Sequence, residues 1–353
     1  MVTVERSVDS LGPTAVEDEQ VAFRLADPEH ERDAVRVWSD LDLGRDLAMS
    51  SVPGGWELRM PIPPVDCLEY LFETDGHGEP DPGNPDLVDG AFGAHSWLAM
   101  PGYQAPGWLE AEPVPGVRRP MRVDRTPVGR IELSVWQPEG VPDRRPLPVL
   151  VAHDGPEIDE YGELTRYVAA LIGTGELPPM RVALVAPGPR DERYAANPAY
   201  ATALTAHVVP RLLRRFPSDH RPVLSGQSLG ALAALYIAWT STPTFAGLFL
   251  QSGSYFTPDL DPQEAGYPHF AAVTEFVSLL RAARAPAPGA PKVAMTCGTV
   301  EENLANNRLV RDHLAKIGLD VTWGDVRQGH TWTCWRDTFD PHLTGLLNTV
   351  WTG

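Results

Sequence analysis

Arg221-Pro222-Val223-Leu224-Ser225-Gly226-Gln227-Ser228-Leu229-Gly230 leads directly into Ala231-Leu232-Ala233-Ala234-Leu235-Tyr236-Ile237-Ala238-Trp239. A short apolar run enters a Gly-x-Ser-x-Gly turn, and an Ala/Leu-rich segment read as an amphipathic helix leaves it. Strand, sharp turn and helix in that order are the setting of a nucleophile elbow. An elbow forces Ser228 into a strained backbone conformation, and Gly226 and Gly230 supply the room beside it. The outgoing helix aims unpaired N–H groups and its positive dipole end at the serine, where negative charge develops in acyl transfer. The backbone N–H of Leu229 is then the first oxyanion donor. The plainer reading of the same residues is a strand-to-helix loop with a capping serine.

A nucleophilic serine needs a base, and the base needs a group to orient it. Hydrolases of this architecture order them Ser, acid, His along the chain. Lys292-Val293-Ala294-Met295-Thr296-Cys297-Gly298 reads as a buried strand, with Glu301 and Glu302 just beyond it. Val321-Thr322-Trp323-Gly324-Asp325-Val326 precedes Gln328-Gly329-His330-Thr331-Trp332. Each candidate follows a strand's carboxyl end, where open α/β sheets gather their functional loops. Among ten histidines, His330 alone combines a preceding Gly, a delivering strand and the right order, so it is the expected base.

With these pieces in place, the chain resembles the enterochelin (ferric enterobactin) esterases, within the esterase-D-like group of α/β hydrolases. The resemblance is carried by His153-Asp154-Gly155, Gly226-Gln227-Ser228-Leu229-Gly230, Gln251-Ser252-Gly253-Ser254-Tyr255, Gly298-Thr299-Val300-Glu301, and Gly329-His330 with Trp335-Arg336. It spans roughly residues 120 to 350. It implies an α/β-hydrolase fold, and a serine esterase acting on catecholate trilactones or similar ester-linked metabolites. It also implies Glu301 as the acid, three residues beyond Gly298, with Glu302 as the alternative; a Ser/His pair without an acid is a further one.

Composition bounds the rest. At 353 residues the chain suits two domains. Its net charge of −18 argues against nucleic acid and anionic membranes as partners; an anionic substrate would need a local basic patch. Three widely spaced cysteines, Cys67, Cys297 and Cys334, form no zinc or disulfide pattern, so a reduced cytoplasmic setting is expected. No signal peptide or membrane span is visible. The expected chemistry needs no metal and no cofactor, because the His/Cys/Asp spacing of a catalytic metal site is missing; iron would arrive with the substrate. The expected partner is a small-molecule ester, and the sequence leaves the oligomeric state open.

Residues 1–18 are acidic and unpatterned and are expected to be a flexible tail. Gln20–Leu25, Asp33–Trp38, Trp56–Met60 and Cys67–Phe72 alternate apolar with polar between Gly/Pro breaks, which predicts an all-β sandwich over 19–110. This part resembles the immunoglobulin-like, early-set domain that precedes the hydrolase in enterochelin esterases. Asp81-Pro82-Gly83-Asn84-Pro85 carries Asx and proline turn chemistry. Gly90-Ala91-Phe92-Gly93 through Leu109 has no period and reads as a long connection, and 111–120 as the linker. From 121 to 353, apolar strands alternate with helical segments such as Tyr161–Leu171 and Ala199–Phe216. That pattern predicts a mostly parallel sheet with helices on both faces.

The second oxyanion donor is expected just after Leu150-Val151-Ala152. In the resembling family it is the residue after the Asp-Gly pair, here Pro156, which has no N–H. Gly155 is the expected substitute, with Glu157 as the other candidate; if neither serves, the chain is a slow enzyme or a binding protein that lost turnover. Asp154 is expected to pin the loop. Arg190 suits an anionic or catecholate oxygen, or else pairs with Glu192 or another carboxylate. Tyr255 and Phe256, with Trp332 after the base, are placed to stack on aryl rings, or belong to the core. An acyltransferase of the same fold is the remaining alternative, since the sequence does not encode whether water or an alcohol takes the acyl group.

Overall fold

The computed structural model describes residues 11–39, 41, 46–91 and 93–351; Phe92 and residues 1–10 of the expected tail lie outside it. The chain divides into two compact units. One takes the residues up to Gln104 together with Thr299–Glu301 and Arg327–Thr331; the other takes Ala105–Gly298, Glu302–Val326 and the chain from Trp332 onward.

The first unit holds two antiparallel sheets. The first pairs β1 (Ala15–Glu17), β2 (Gln20–Ala26), β5 (Gly55–Pro61) and β4 (Ser50–Val52) in that order. The second runs β3 (Arg36–Trp38), β6 (Cys67–Thr74), β9 (Gly93–Ala99) and β8 (Leu87–Gly90), with β7 (His77–Glu79) against β6. Alternate residues of both sheets, among them Phe23, Leu25, Val37, Leu68, Tyr70 and Phe72, fill one core. Two expectations are corrected here. Ala15–Glu17, assigned to the tail, pairs in register with Gln20–Ala22. The supposed connection from Gly90 onward contains β9, which the odd mixture of Gly, His and Trp concealed. The Asp81 turn is more than a surface turn. Its buried carboxylate accepts the Gly83 N–H and the Tyr70 hydroxyl, both at 2.7 Å, tying the turn to the core.

The second unit is built on an eight-stranded sheet ordered β10 (Gly116–Thr126), β11 (Gly129–Pro138), β13 (Arg181–Val185), β12 (Val149–Ala152), β14 (Val223–Gln227), β15 (Gly247–Gln251), β16 (Lys292–Gly298) and β17 (Val321–Val326). The first two pairings, β10 with β11 and β11 with β13, are antiparallel and the remaining pairings are parallel. Successive residues of the parallel strands enter different cores. Val149, Val151 and Leu224 pack with one cluster, and Leu150, Ala152 and Val223 with the other. Burial on both faces is why these strands read as continuous apolar runs. The expected linker 111–120 is corrected, because its last five residues already belong to β10.

The helices include α1 (Gly155–Glu160), α2 (Leu164–Thr174), α3 (Arg190–Tyr194), α4 (Pro198–Thr202), α5 (Val209–Arg215), α6 (Leu229–Thr240), α7 (Phe270–Ala282), α8 (Leu304–Lys316), α9 (Trp332–Asp337) and α10 (Thr344–Trp351). The elbow helix α6 departs from expectation. It is buried on nearly every side, from Leu229 through Leu235 and again at Ile237 and Ala238, as a helix apolar all round must be. Among the described residues no helix is long and apolar enough to cross a membrane.

Candidate active site

Ser228 stands between β14 and α6 with φ 54° and ψ −123°. A positive φ at a non-glycine residue is strained, and surrounding structure must hold it. The holding bonds are clear. Its N–H donates to the Gln251 carbonyl at 2.9 Å, extending the β14–β15 ladder past its end, and its carbonyl accepts from Ala231 at 3.0 Å. The glycines act sterically. A Cβ on Gly226 would lie 2.3 Å from the Gly230 oxygen, and one on Gly230 would lie 3.0 Å from Asp154 Oδ2. Leu229 opens α6, and its N–H has no acceptor among the described residues, as the first turn of a helix leaves it.

The loop after β12 is seated against this elbow by His153. Its Nδ1–H donates to the Gly230 carbonyl at 3.0 Å, while Nε2 is buried without a partner among the described residues. Asp154 follows in the left-handed region, and its N–H is taken by the Tyr194 hydroxyl at 3.1 Å. Gly155 then begins α1. A Cβ there would lie 2.3 Å from the Leu184 carbonyl carbon, so only glycine fits. Its N–H also lacks an acceptor among the described residues, so a backbone donor remains in this loop although Pro156 has none.

Burial drives the His153 imidazole down to about 4, because a proton on Nε2 would be a charge with no partner. The sign follows from linkage. The unfolded chain takes up this proton near its ordinary value of 6.5 and the folded chain only near 4. Between those values the unfolded state binds more protons, so stability falls as pH falls. We expect on the order of 3 kcal/mol to be lost across that window. Urea unfolding of wild type and His153→Gln from pH 7.5 to 4.5 checks this; an equal pH slope in both would refute the assignment.

Arg190 takes the second of its two expected arrangements, pairing with a carboxylate of the chain, which is Asp154 and not Glu192. Its Nε and Nη2 donate to Asp154 Oδ1 and Oδ2, each at 2.9 Å. This is the fork-to-fork geometry that holds arginine best, and it places Arg190 with a carboxylate of the chain. Asp154 does pin the loop, through Arg190. Tyr255 is a correction. It is fully buried in the larger core, and desolvation holds its phenol well above the ordinary range, so its ring faces no substrate. Phe256 is likewise buried, stacked on Phe270 at 6.2 Å. Trp332 remains half-buried, edge-on to Trp335 at 4.9 Å and tilted against Tyr161 at 5.5 Å.

Glu301 and His330 belong to the other unit, and the structure brings them together. His330 Nδ1 lies 2.8 Å from Glu301 Oε2; the carboxyl side chain is wholly buried and the imidazole 30% exposed. Both loops are fastened within that unit. Val300 packs against its core. The Asp66 N–H donates to the Arg327 carbonyl, and Arg327 Nε donates to Asp66 Oδ1 at 3.0 Å. Glu302 is exposed and accepts from Gln263 Nε2 at 3.4 Å. Ser254 went unassigned in the sequence although it lies in a quoted motif: its Oγ is 3.2 Å from Ser228 Oγ.

The family model described as a putative esterase matches residues 126–346. The iron(III) enterobactin esterase of Escherichia coli (strain K12) is 27% identical over 294 residues, which is 80% of this chain and 67% of that protein. Of the solved structures, ferric enterobactin esterase from Salmonella typhimurium superposes with a TM-score of 0.78 at 20% identity, over 96% of each chain. The enterobactin esterase of Shigella flexneri, crystallised in the presence of 2,3-dihydroxy-N-benzoyl-serine, gives 0.76 at 21%, over 95% of each. Identities that low speak for the fold. The family match covers well over half the chain and carries more: the chain belongs to the esterase family, and it is a carboxylic-ester hydrolase of α/β-hydrolase-like fold, similar to the enterobactin esterases.

Proposed function

We propose that the chain is a serine esterase that hydrolyses the ester bonds of a catecholate trilactone siderophore, or of a related ester-linked metabolite, through an acyl-enzyme. Ser228 Oγ attacks the ester carbonyl. His330 takes the proton on Nε2 and returns it to the leaving alcohol, and Glu301 orients the imidazole. The observation that carries this reading is the 2.8 Å contact between His330 Nδ1 and the buried Glu301 carboxylate. A carboxylate at Nδ1 selects the tautomer with its proton there, which leaves a lone pair on Nε2 for the serine proton. The oxyanion donors are the N–H groups of Leu229 and Gly155, so the reading does not depend on the donor that Pro156 lacks.

The substrate class rests on likeness to enterobactin esterases. The chemistry itself is ordinary ester cleavage, and iron enters only as cargo of the substrate. Trp332, half-buried, is the aromatic left to meet an aryl ring. We further infer that the N-terminal β unit is an immunoglobulin-like, early-set domain, which its two antiparallel sheets around one core support. The same proposal places the enzyme in the cytoplasm, since an odd set of three cysteines, all buried, suits a reducing compartment.

The test is incubation with enterobactin, iron-free and ferric, followed by chromatography. Linear esters and finally 2,3-dihydroxy-N-benzoyl-serine should accumulate, and Ser228→Ala should yield none. Cleavage of simple aryl esters without trilactone opening would overturn the substrate class alone. Loss of both activities in folded wild type would overturn the esterase mechanism.

A further inference from the structure

The loop after β15 is built around Ser228 with more care than a connection requires. Ser252 adopts φ 48°, a strained value held in place by its surroundings. Asn307, fully buried on α8, grips both backbone groups of Gly253. Its Oδ1 accepts the N–H at 2.9 Å, and its Nδ2 donates to the carbonyl at 2.7 Å. A Cβ on Gly253 would lie 2.3 Å from the Tyr255 ring, so the turn admits no other residue without a shift. The product of this clamp is the position of Ser254, which is only 4% exposed. Its N–H donates to the Ser228 carbonyl at 3.2 Å, and its hydroxyl lies 3.2 Å from Ser228 Oγ.

We propose that Ser254 is a positioning residue for the nucleophile, its hydroxyl donating to Ser228 Oγ and fixing the rotamer from which attack occurs. This deepens the serine-esterase reading and rests on it. The direction of the bond follows from the chemistry. The Ser228 proton must be offered to the base, so the proton between the two oxygens has to come from Ser254. As negative charge grows on Oγ, that bond becomes charge-assisted and strengthens. An interaction stronger in the transition state than in the ground state appears in kcat and leaves KM unchanged. The Asn307 clamp matters because a hydroxyl on a loose loop would not hold this geometry.

The experiment compares wild type with Ser254→Ala, Ser254→Gly and Ser254→Thr. Single-turnover acylation by an aryl ester, steady-state constants and the rate of fluorophosphonate labelling at Ser228 are measured, with melting curves for each variant. Removing the hydroxyl should slow acylation and labelling by about tenfold, as loss of one hydrogen bond to a reacting atom does, with KM within about twofold. Ser254→Thr, which keeps the hydroxyl, should recover most of the rate; Ser254→Gly adds no bulk and should match Ser254→Ala. Wild-type rates in Ser254→Ala and Ser254→Gly would overturn the positioning role and leave Ser228 as nucleophile. A threonine variant that melts like wild type yet is as slow as the alanine variant would overturn it too. Failure of wild type to label at Ser228 would overturn the nucleophile assignment and this role together.

Discussion

Ser228→Ala is expected to lower kcat on an aryl ester by about four to six decades and to abolish fluorophosphonate labelling, the scale on which triad serines act. The backbone at residue 228 is set by bonds that alanine keeps, since Gln251 and Ala231 reach its main chain. The variant should therefore fold, with an unchanged circular dichroism spectrum. His330→Ala should cost about as much. The double variant should cost little more than either single one, because a nucleophile without its base and a base without its nucleophile fail at the same step. Losses that add in the double variant would mean that the two side chains act separately. Retained turnover in Ser228→Ala would remove the serine from the chemistry.

The elbow was legible because its constraint is local. Gly226 is required by a contact four residues away, with the Gly230 carbonyl, although the room at Gly230 is set by the distant Asp154. The parallel strands were legible for a related reason, since burial on two faces leaves an uninterrupted apolar run. β10 was not. It is an edge strand, and Arg118, Arg119, Pro120 and Arg122 give it the charged, proline-bearing face that sheet edges carry. Such a face looks like linker.

Side-chain roles were harder than elements, because they depend on direction. Tyr255 follows a strained turn that sends its ring into the core, and no periodicity reports that. Arg190 meets Asp154 across thirty-six residues of sequence. Ser254 meets Ser228 across twenty-six residues of sequence. The order Ser228, Glu301, His330 was readable as a pattern, and the last two do meet. Their fastening by Val300 and by the Asp66–Arg327 bonds joins residues far apart in sequence, and no local pattern encodes it.

The acid itself gives the sharpest remaining test. Glu301→Gln should lower kcat by about two to four decades while leaving the fold intact, the scale of an orienting carboxylate. Glutamine has nearly the same shape and its amide oxygen can still meet Nδ1–H. What it removes is the negative charge that favours the imidazolium formed when His330 takes the serine proton. Glu301 is placed for that work, 2.8 Å from the imidazole with its side chain wholly buried, where a charge is little screened. Glu302 points into solvent toward Gln263, so Glu302→Gln should stay within roughly threefold of wild type, as surface charge changes do. Measuring kcat for both variants on one aryl ester, with circular dichroism as the fold control, decides between them. A crippled Glu302→Gln would move the acid by one residue. If both variants turn over like wild type, Ser228 and His330 work as a pair, and the buried contact at Glu301 serves to hold the His330 loop in place.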